Sequence, residues 1–150
     1  MPFTEDTIEQ AALSWLQVVG YTPIFGGTIA PGEPAAERDR YADVLLIGRL
    51  RAALDRINTH IPAGKRAAVI DDAIRQITRA ATQNVLLNNH AFHQLLVDGV
   101  DVTYRDGGQA RHVKVWLLDF TDPLQNEFAA VNQFTVEDVN PRTRAKTNRR

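Results

Sequence analysis

VKVWLLD (residues 113–119) and EFAAVNQFTV (residues 127–136), separated by the turn-forming TDPLQN (residues 121–126), decide how the fold is read. Both runs are apolar and β-prone, and the break between them carries Asp-Pro, so the pattern predicts two paired strands. After them comes NPRTRAKTNRR (residues 140–150), which holds five cations, no acid and no further apolar run. A sheet is begun, and the next strand is expected beyond the last residue.

Working back from that stretch, residues 100–120 read as a hairpin. Arg105-Asp106-Gly107-Gly108 supplies a strong turn signal between β-prone arms. The second arm, residues 112–120, begins as an alternation and ends as a continuous apolar run, as a strand entering the middle of a sheet would. With 128–136 as a third arm, the prediction is an antiparallel meander.

Helices are expected before it. Residues 4–19 place Ile8, Ala11, Ala12, Trp15, Leu16 and Val19 on one apolar stripe. Thr4 or Thr7 can cap the start, Thr7 with Gln10 fits a capping box, and Gly20 is a left-handed stop. Residues 21–25 and 28–30 can form short strands around Gly26-Gly27, and PGEPAAERDR (residues 31–40) is loop. The second half of 43–57 fits a helix, with Gly48 weakening its start. Residues 65–78 form another, with Val69, Ile70, Ala73, Ile74 and Ile77 on one face and an Asp71–Arg75 pair four residues apart. A further helix covers 84–98, buries Leu86, Phe92, Leu95 and Leu96, and stops at Gly99. Helices followed by an antiparallel meander make the class α+β.

Composition narrows the function. At 150 residues the chain is one domain by length and long enough to bury roughly 70% of its unfolded surface. Net charge is −1, so overall charge does not mark a polyanion binder. The distribution is uneven: residues 140–150 sum to +5 and the other 139 to −6. Without cysteine there is no disulfide framework and no thiolate metal site. No secretory signal pattern or apolar run of membrane-spanning length occurs, so a cytoplasmic protein without membrane contact is expected.

Chemistry is sparse. No GxxxxGK[ST], GxGxxG or GxSxG is present. His90 and His93 lie three apart but lack a third ligand. Metal-dependent nucleases place an acid and a lysine two residues apart on one strand, where they share a face and serve one cation. Two residues before Lys65, Lys114 and Lys146 stand Ala63, His112 and Arg144, so no lysine here qualifies. Glu5 and Glu9 are the only paired carboxylates, on one face of the first helix. Their simplest role is to complement the helix dipole.

FTEDTIEQAALSWLQVVGY at the start, RLRAALDRIN and DDAIRQIT in the middle, then NHAFHQLLVDGV and WLLDFTDPLQNEFAAVNQFTV carry a resemblance. The chain resembles the N-terminal nuclease domain of the restriction (R) subunit of type I restriction-modification enzymes, in order and over essentially its whole length. The last two segments are the most specific.

The resemblance implies a restriction-endonuclease-like PD-(D/E)xK fold, incomplete here. Residues 1–139 would form part of that domain, and 140–150 a basic tail leading to the catalytic strand. In the family a stretch like TNRR is followed by the first catalytic Asp and then by the E-x-K strand. This sequence stops at Arg150, so the expectation is a truncated chain without nuclease activity of its own. Glu9, with Glu5 second, matches the first-helix Glu that such nucleases turn toward the metal. Arg142, Arg144, Lys146, Arg149 and Arg150 would lie along DNA. Mg²⁺ and ATP are implied for the parent subunit and neither for this chain alone. DNA and the methylation and specificity subunits are the implied partners. The alternatives are a non-catalytic DNA-binding or subunit-docking module, and an inactive remnant whose open edge at 128–136 favours pairing between chains.

Overall fold

The computed structural model describes residues 4–80, 85–139 and 146–149. The chain divides into two compact units, Met1–Leu46 with Glu127–Arg150, and Ile47–Asn126. Both contain helix and sheet, so the α+β class holds. Among the described residues no helix is long and apolar enough to cross a membrane.

The unit Ile47–Asn126 contains α2 (Ile47–Ile57), α3 (Ala63–Ala80), α4 (Val85–Asp98), β2 (Val100–Asp106) and β3 (Gln109–Val115). In chain order they come after α1 (Glu5–Val18) and β1 (Thr22–Phe25) of the other unit. Val69, Ile70, Ala73, Ile74 and Ile77 of α3 are buried with Leu54, Ile61, Val100, Val102, Val115 and Leu117. The helical spacing of the five α3 residues makes one stripe that the hairpin covers. Each buried isoleucine or leucine contributes on the order of 2 kcal/mol of apolar burial. β2 and β3 are antiparallel from Val100↔Val115 to Asp106↔Gln109, which leaves Gly107 and Gly108 as the loop. Both have positive φ, 55° and 81°, the conformation that a tight right-twisting hairpin turn demands. Gly99, at φ 70°, separates α4 from β2 as expected.

Two expectations fail here. The second hairpin arm stops at Val115 and does not continue to Phe120. The reason is Asn58, fully buried, whose Oδ1 accepts from Trp116 N at 2.7 Å and whose Nδ2 donates to Trp116 O at 2.9 Å. That side-chain amide takes the place of a neighbouring strand. Asn126 does the same at Asp119, and the Asp119 carboxylate accepts from Thr121 and Asp122 N–H, closing a loop rather than a strand. The Asp71–Arg75 pair is also replaced: Asp71 meets Arg51 of α2, and Arg75 meets Asp72.

The other unit begins with α1 (Glu5–Val18). Thr4 is its N-cap, with Oγ1 accepting from Thr7 N at 3.3 Å. Its end is a Schellman turn: Gly20 at φ 97° donates to Gln17 O, and Tyr21 N donates to Leu16 O at 3.0 Å. β1 (Thr22–Phe25) follows and pairs in parallel with β4 (Ala129–Asn132), from Thr22↔Ala129 to Phe25↔Asn132. β5 (Val136–Val139) pairs antiparallel with β6 (Lys146–Arg149).

The meander is therefore not formed. Residues 113–119 and 127–136 do not pair, and the latter stretch is no single strand. It bends at Gln133, which at φ 51° is left-handed, so β4 ends and β5 starts on a new course. Residues 28–30, expected as strand, form a turn in which Thr28 N–H returns to Phe25 O. The buried face of α1 is also not the predicted one. Glu9, Leu13 and Leu16 are half-buried, whereas Ile8, Trp15, Val18 and Val19 are 60–85% exposed. At 100° per residue the face turned inward lies about a quarter turn from the apolar stripe. The sheet beside α1 has only two strands and offers a narrow surface, and Leu13 and Leu16 are the apolar residues of α1 that are partly covered.

Candidate functional site

The parallel pairing of β1 and β4 brings both carboxyl ends together, where ligand sites gather in open parallel sheets. Phe25 and Asn132 are the last partners, and the next residues are Gly26 and Gln133. Gly26 N–H donates to Asn132 O at 2.8 Å. A Cβ on Gly26 would lie 2.6 Å from Asn132 O and 2.7 Å from Gln133 O, so only glycine lets the two backbones approach this closely. The left-handed Gln133 then turns its side chain to α1, where Nε2 donates to both oxygens of Glu9 at 3.0 and 3.1 Å.

The segment after Gln133 is held by Arg38. Its guanidinium lies 3.8 Å from the centre of the Phe134 ring and 5.4 Å from that of Tyr41. It donates to Thr135 O at 2.7 Å and to Asp43 O at 3.4 Å, and Arg38 is 5% exposed. Glu137 N–H bonds to Tyr41 O, so residues 38–43 grip 134–137 at several points. Beside the clamp, the Arg40 guanidinium hydrogen-bonds Asp43 and holds its carboxyl below the usual carboxylate range, against a smaller opposing effect of burial.

Of the residues singled out in the sequence, Glu9 enters this site and Glu5 does not. Glu5 is exposed in the first turn of α1 beside Asp6. Lys146 lies on β6, with Nζ 3.0 Å from the Glu137 carboxylate, and Arg149 stands opposite Val136 in the strand pair. Arg142, Arg144 and Arg150 lie outside the described residues. His90 and His93 are exposed on α4, and His112 and Lys114 are engaged across the hairpin with Thr103 and Asp101. A cleft of about 310 Å³ lined by Ile57, Trp116, Leu118, Asp119, Phe120 and Thr121 has its one carboxylate committed to loop N–H groups.

Among the described residues no three metal-ligating side chains come together. Among these described residues, the donor set at Glu9 is therefore not one that encloses a cation. It does suit one carboxylate contact to magnesium, which keeps several waters and takes one or two carboxylates. Gln133 and Arg38 escape a reading of the sequence. Gln133 sits inside what scans as a strand, and Arg38 sits in a polar loop; a glutamine within a β-prone run is the one local oddity.

The family described as type I restriction enzyme R protein N terminus matches residues 2–149. The type I restriction enzyme HindI endonuclease subunit of Haemophilus influenzae is 30% identical over 132 residues, which is 88% of this chain and 12% of that protein. The putative type I restriction enzyme MjaIXP endonuclease subunit of Methanocaldococcus jannaschii is 28% identical over 130 residues, 87% of this chain and 12% of that protein. The chain thus spans about an eighth of the length of the curated relatives it matches. No solved structure matches it at a significant level.

Proposed function

Because this chain belongs to the family of type I restriction enzyme R protein N termini, we propose that it serves a subunit that cleaves DNA in a type I restriction-modification complex. The observation that carries this reading is the family match over residues 2–149. In this reading the domain is of the PD-(D/E)xK kind, with 1–139 as its first part and 140–150 as the approach to its catalytic strand. The whole subunit uses Mg²⁺ and ATP, works in the cytoplasm and assembles with methylation and specificity subunits. Two relatives named as endonuclease subunits support the class of reaction.

The position of Glu9 supports its part. It stands at the carboxyl end of a parallel strand pair, half-buried and held by an amide. When bound, a divalent cation supplies charge neutralisation at the scissile phosphate and an activated water. Glu9 contributes one carboxylate to such a site, and Glu5, on the exposed first turn, adds only to the local negative charge. Arg142, Arg144, Lys146, Arg149 and Arg150 contact the DNA backbone. Lys146 has to leave Glu137 to do so.

The test is DNA binding by the chain over a salt series. Four or five phosphate contacts give a slope of about −4 in log K against log salt for duplex DNA. Replacing Arg142, Arg144, Arg149 and Arg150 together by Ala is expected to reduce that slope to about −1, the one contact left to Lys146. An unchanged slope overturns the assignment of DNA contacts. If binding follows the prediction but Glu9→Gln leaves cleavage by the complete subunit intact, the chain is a non-catalytic DNA-binding module instead.

A further inference from the structure

The Glu9 carboxylate meets its amide in an unusual way. Gln133 Nε2 is almost equidistant from the two oxygens, at 3.0 and 3.1 Å. A nitrogen so placed fills the notch between the oxygens, where a chelated cation or a guanidinium would otherwise bind. The outer lone pair of each oxygen is left for another partner.

That contact is maintained against a backbone cost. A glutamine at φ 51° pays on the order of 1 kcal/mol for the left-handed region, and such residues persist only where their surroundings hold them. Here both sides are held. Before Gln133, the Asn132 carbonyl is bound by Gly26 N–H, and the Gly26 backbone lies so close that no side chain would fit. After it, Arg38 covers the Phe134 ring and bonds Thr135 O. The Gly26 N–H bond is the last of the β1–β4 ladder and fixes the backbone up to Asn132, and the Arg38 contacts lie beyond that ladder. Their shared effect is to aim the Gln133 side chain at α1.

We propose that Gln133 is a positioning residue: its amide closes the chelating notch of Glu9 and presents one outer oxygen to a hydrated divalent cation. This rests on the reading of Glu9 as a metal-site carboxylate. Gln133 touches no reacting atom and acts only through Glu9.

The experiment uses the complete subunit that carries this N terminus, with Mn²⁺ as the probe and free Mn²⁺ read by electron paramagnetic resonance. Gln133→Leu is expected to weaken Mn²⁺ binding about tenfold, as loss of a group that orients a metal ligand does. Glu9→Gln weakens it at least as much, and the double variant is no weaker than Glu9→Gln alone. Gln133→Asn serves as the second variant. Asn tolerates the left-handed backbone but is one methylene too short to reach Glu9, so it keeps the fold and loses the affinity. A lowered melting temperature with unchanged Mn²⁺ affinity in both Gln133 variants makes Gln133 a structural strut and overturns the proposal. Tighter binding in either variant overturns it too, because the amide then competes with the cation. Unchanged affinity in Glu9→Gln is a separate result that removes the metal reading beneath it.

Discussion

Replacing Asn58 by Ala tests the account of why β3 ends at Val115. Asn58 is 0% exposed and lies just beyond α2. Its Nδ2 donates to Leu54 O and to Trp116 O, each at 2.9 Å, and its Oδ1 accepts from Trp116 N at 2.7 Å. Truncation removes three hydrogen bonds at about 1 kcal/mol each and leaves a half-buried N–H and C=O of Trp116 without partners. The expected loss is about 3–4 kcal/mol, a large part of the 5–15 kcal/mol typical of a domain. In urea, with m of roughly 2 kcal/mol/M, the midpoint should fall by about 1.5–2 M while m itself is unchanged. Asn58→Asp keeps the shape but points one carboxylate oxygen at two carbonyls; burial there raises the carboxyl above its ordinary value of about 4, so the variant should cost more at neutral pH and recover in part as pH falls toward about 4. Equilibrium urea unfolding followed by Trp fluorescence and circular dichroism measures both. A loss below about 1 kcal/mol for Asn58→Ala would show that Trp116 does not depend on this side chain, and the reason given for the strand end would be wrong.

Two further predictions bear on the other unit. Gly26→Ala puts a methyl group 2.6 Å from Asn132 O, against backbone that cannot step aside, and should cost more than about 2 kcal/mol by the same unfolding assay. Its failure to do so would mean that β1 and β4 separate cheaply. The Arg40–Asp43 pair makes a pH-dependent contribution. Because the folded Asp43 carboxyl is held below its ordinary value by the Arg40 hydrogen bond, the contribution is present above the unfolded value near 3.8 and is lost as pH falls through the folded one. Titration of the Asp43 carboxyl by NMR should therefore move upward in Arg40→Ala; an unmoved titration refutes the pairing.

Much of the local structure was legible in the residues alone. Thr4 and Gly20 bracket α1, Gly107-Gly108 turn the hairpin, and the α3 stripe from Val69 to Ile77 is the core of its unit. Each depends on a backbone preference or a spacing that needs no distant partner. The errors share the opposite character. The apolar stripe of α1 gave the helix correctly and its orientation wrongly, because which face turns inward depends on the width of the sheet it meets. Residues 116–120 looked like strand because they are β-prone, yet Asn58 and Asn126 supply the hydrogen bonds that a strand neighbour would have supplied. For the candidate site, Glu9 was legible from its place on the first helix and from the family resemblance. Gln133 was not, since its role comes from a left-handed backbone between two β-prone segments.

By itself, then, the sequence determined the helices, the hairpin, the α+β class and the family, all of which rest on local propensity or on the order of motifs along the chain. The tertiary structure alone decided pairing. It joined β4 to β1 in parallel across more than a hundred residues, where a meander of sequential neighbours had been the simpler expectation. Strand ladders are chemically alike at the backbone, so hydrogen bonding does not say which strand meets which; burial, close approach at Gly26 and the clamp at Arg38 do. That choice brings Gln133 to Glu9, and so turns an acidic residue in a helix into the centre of a candidate site.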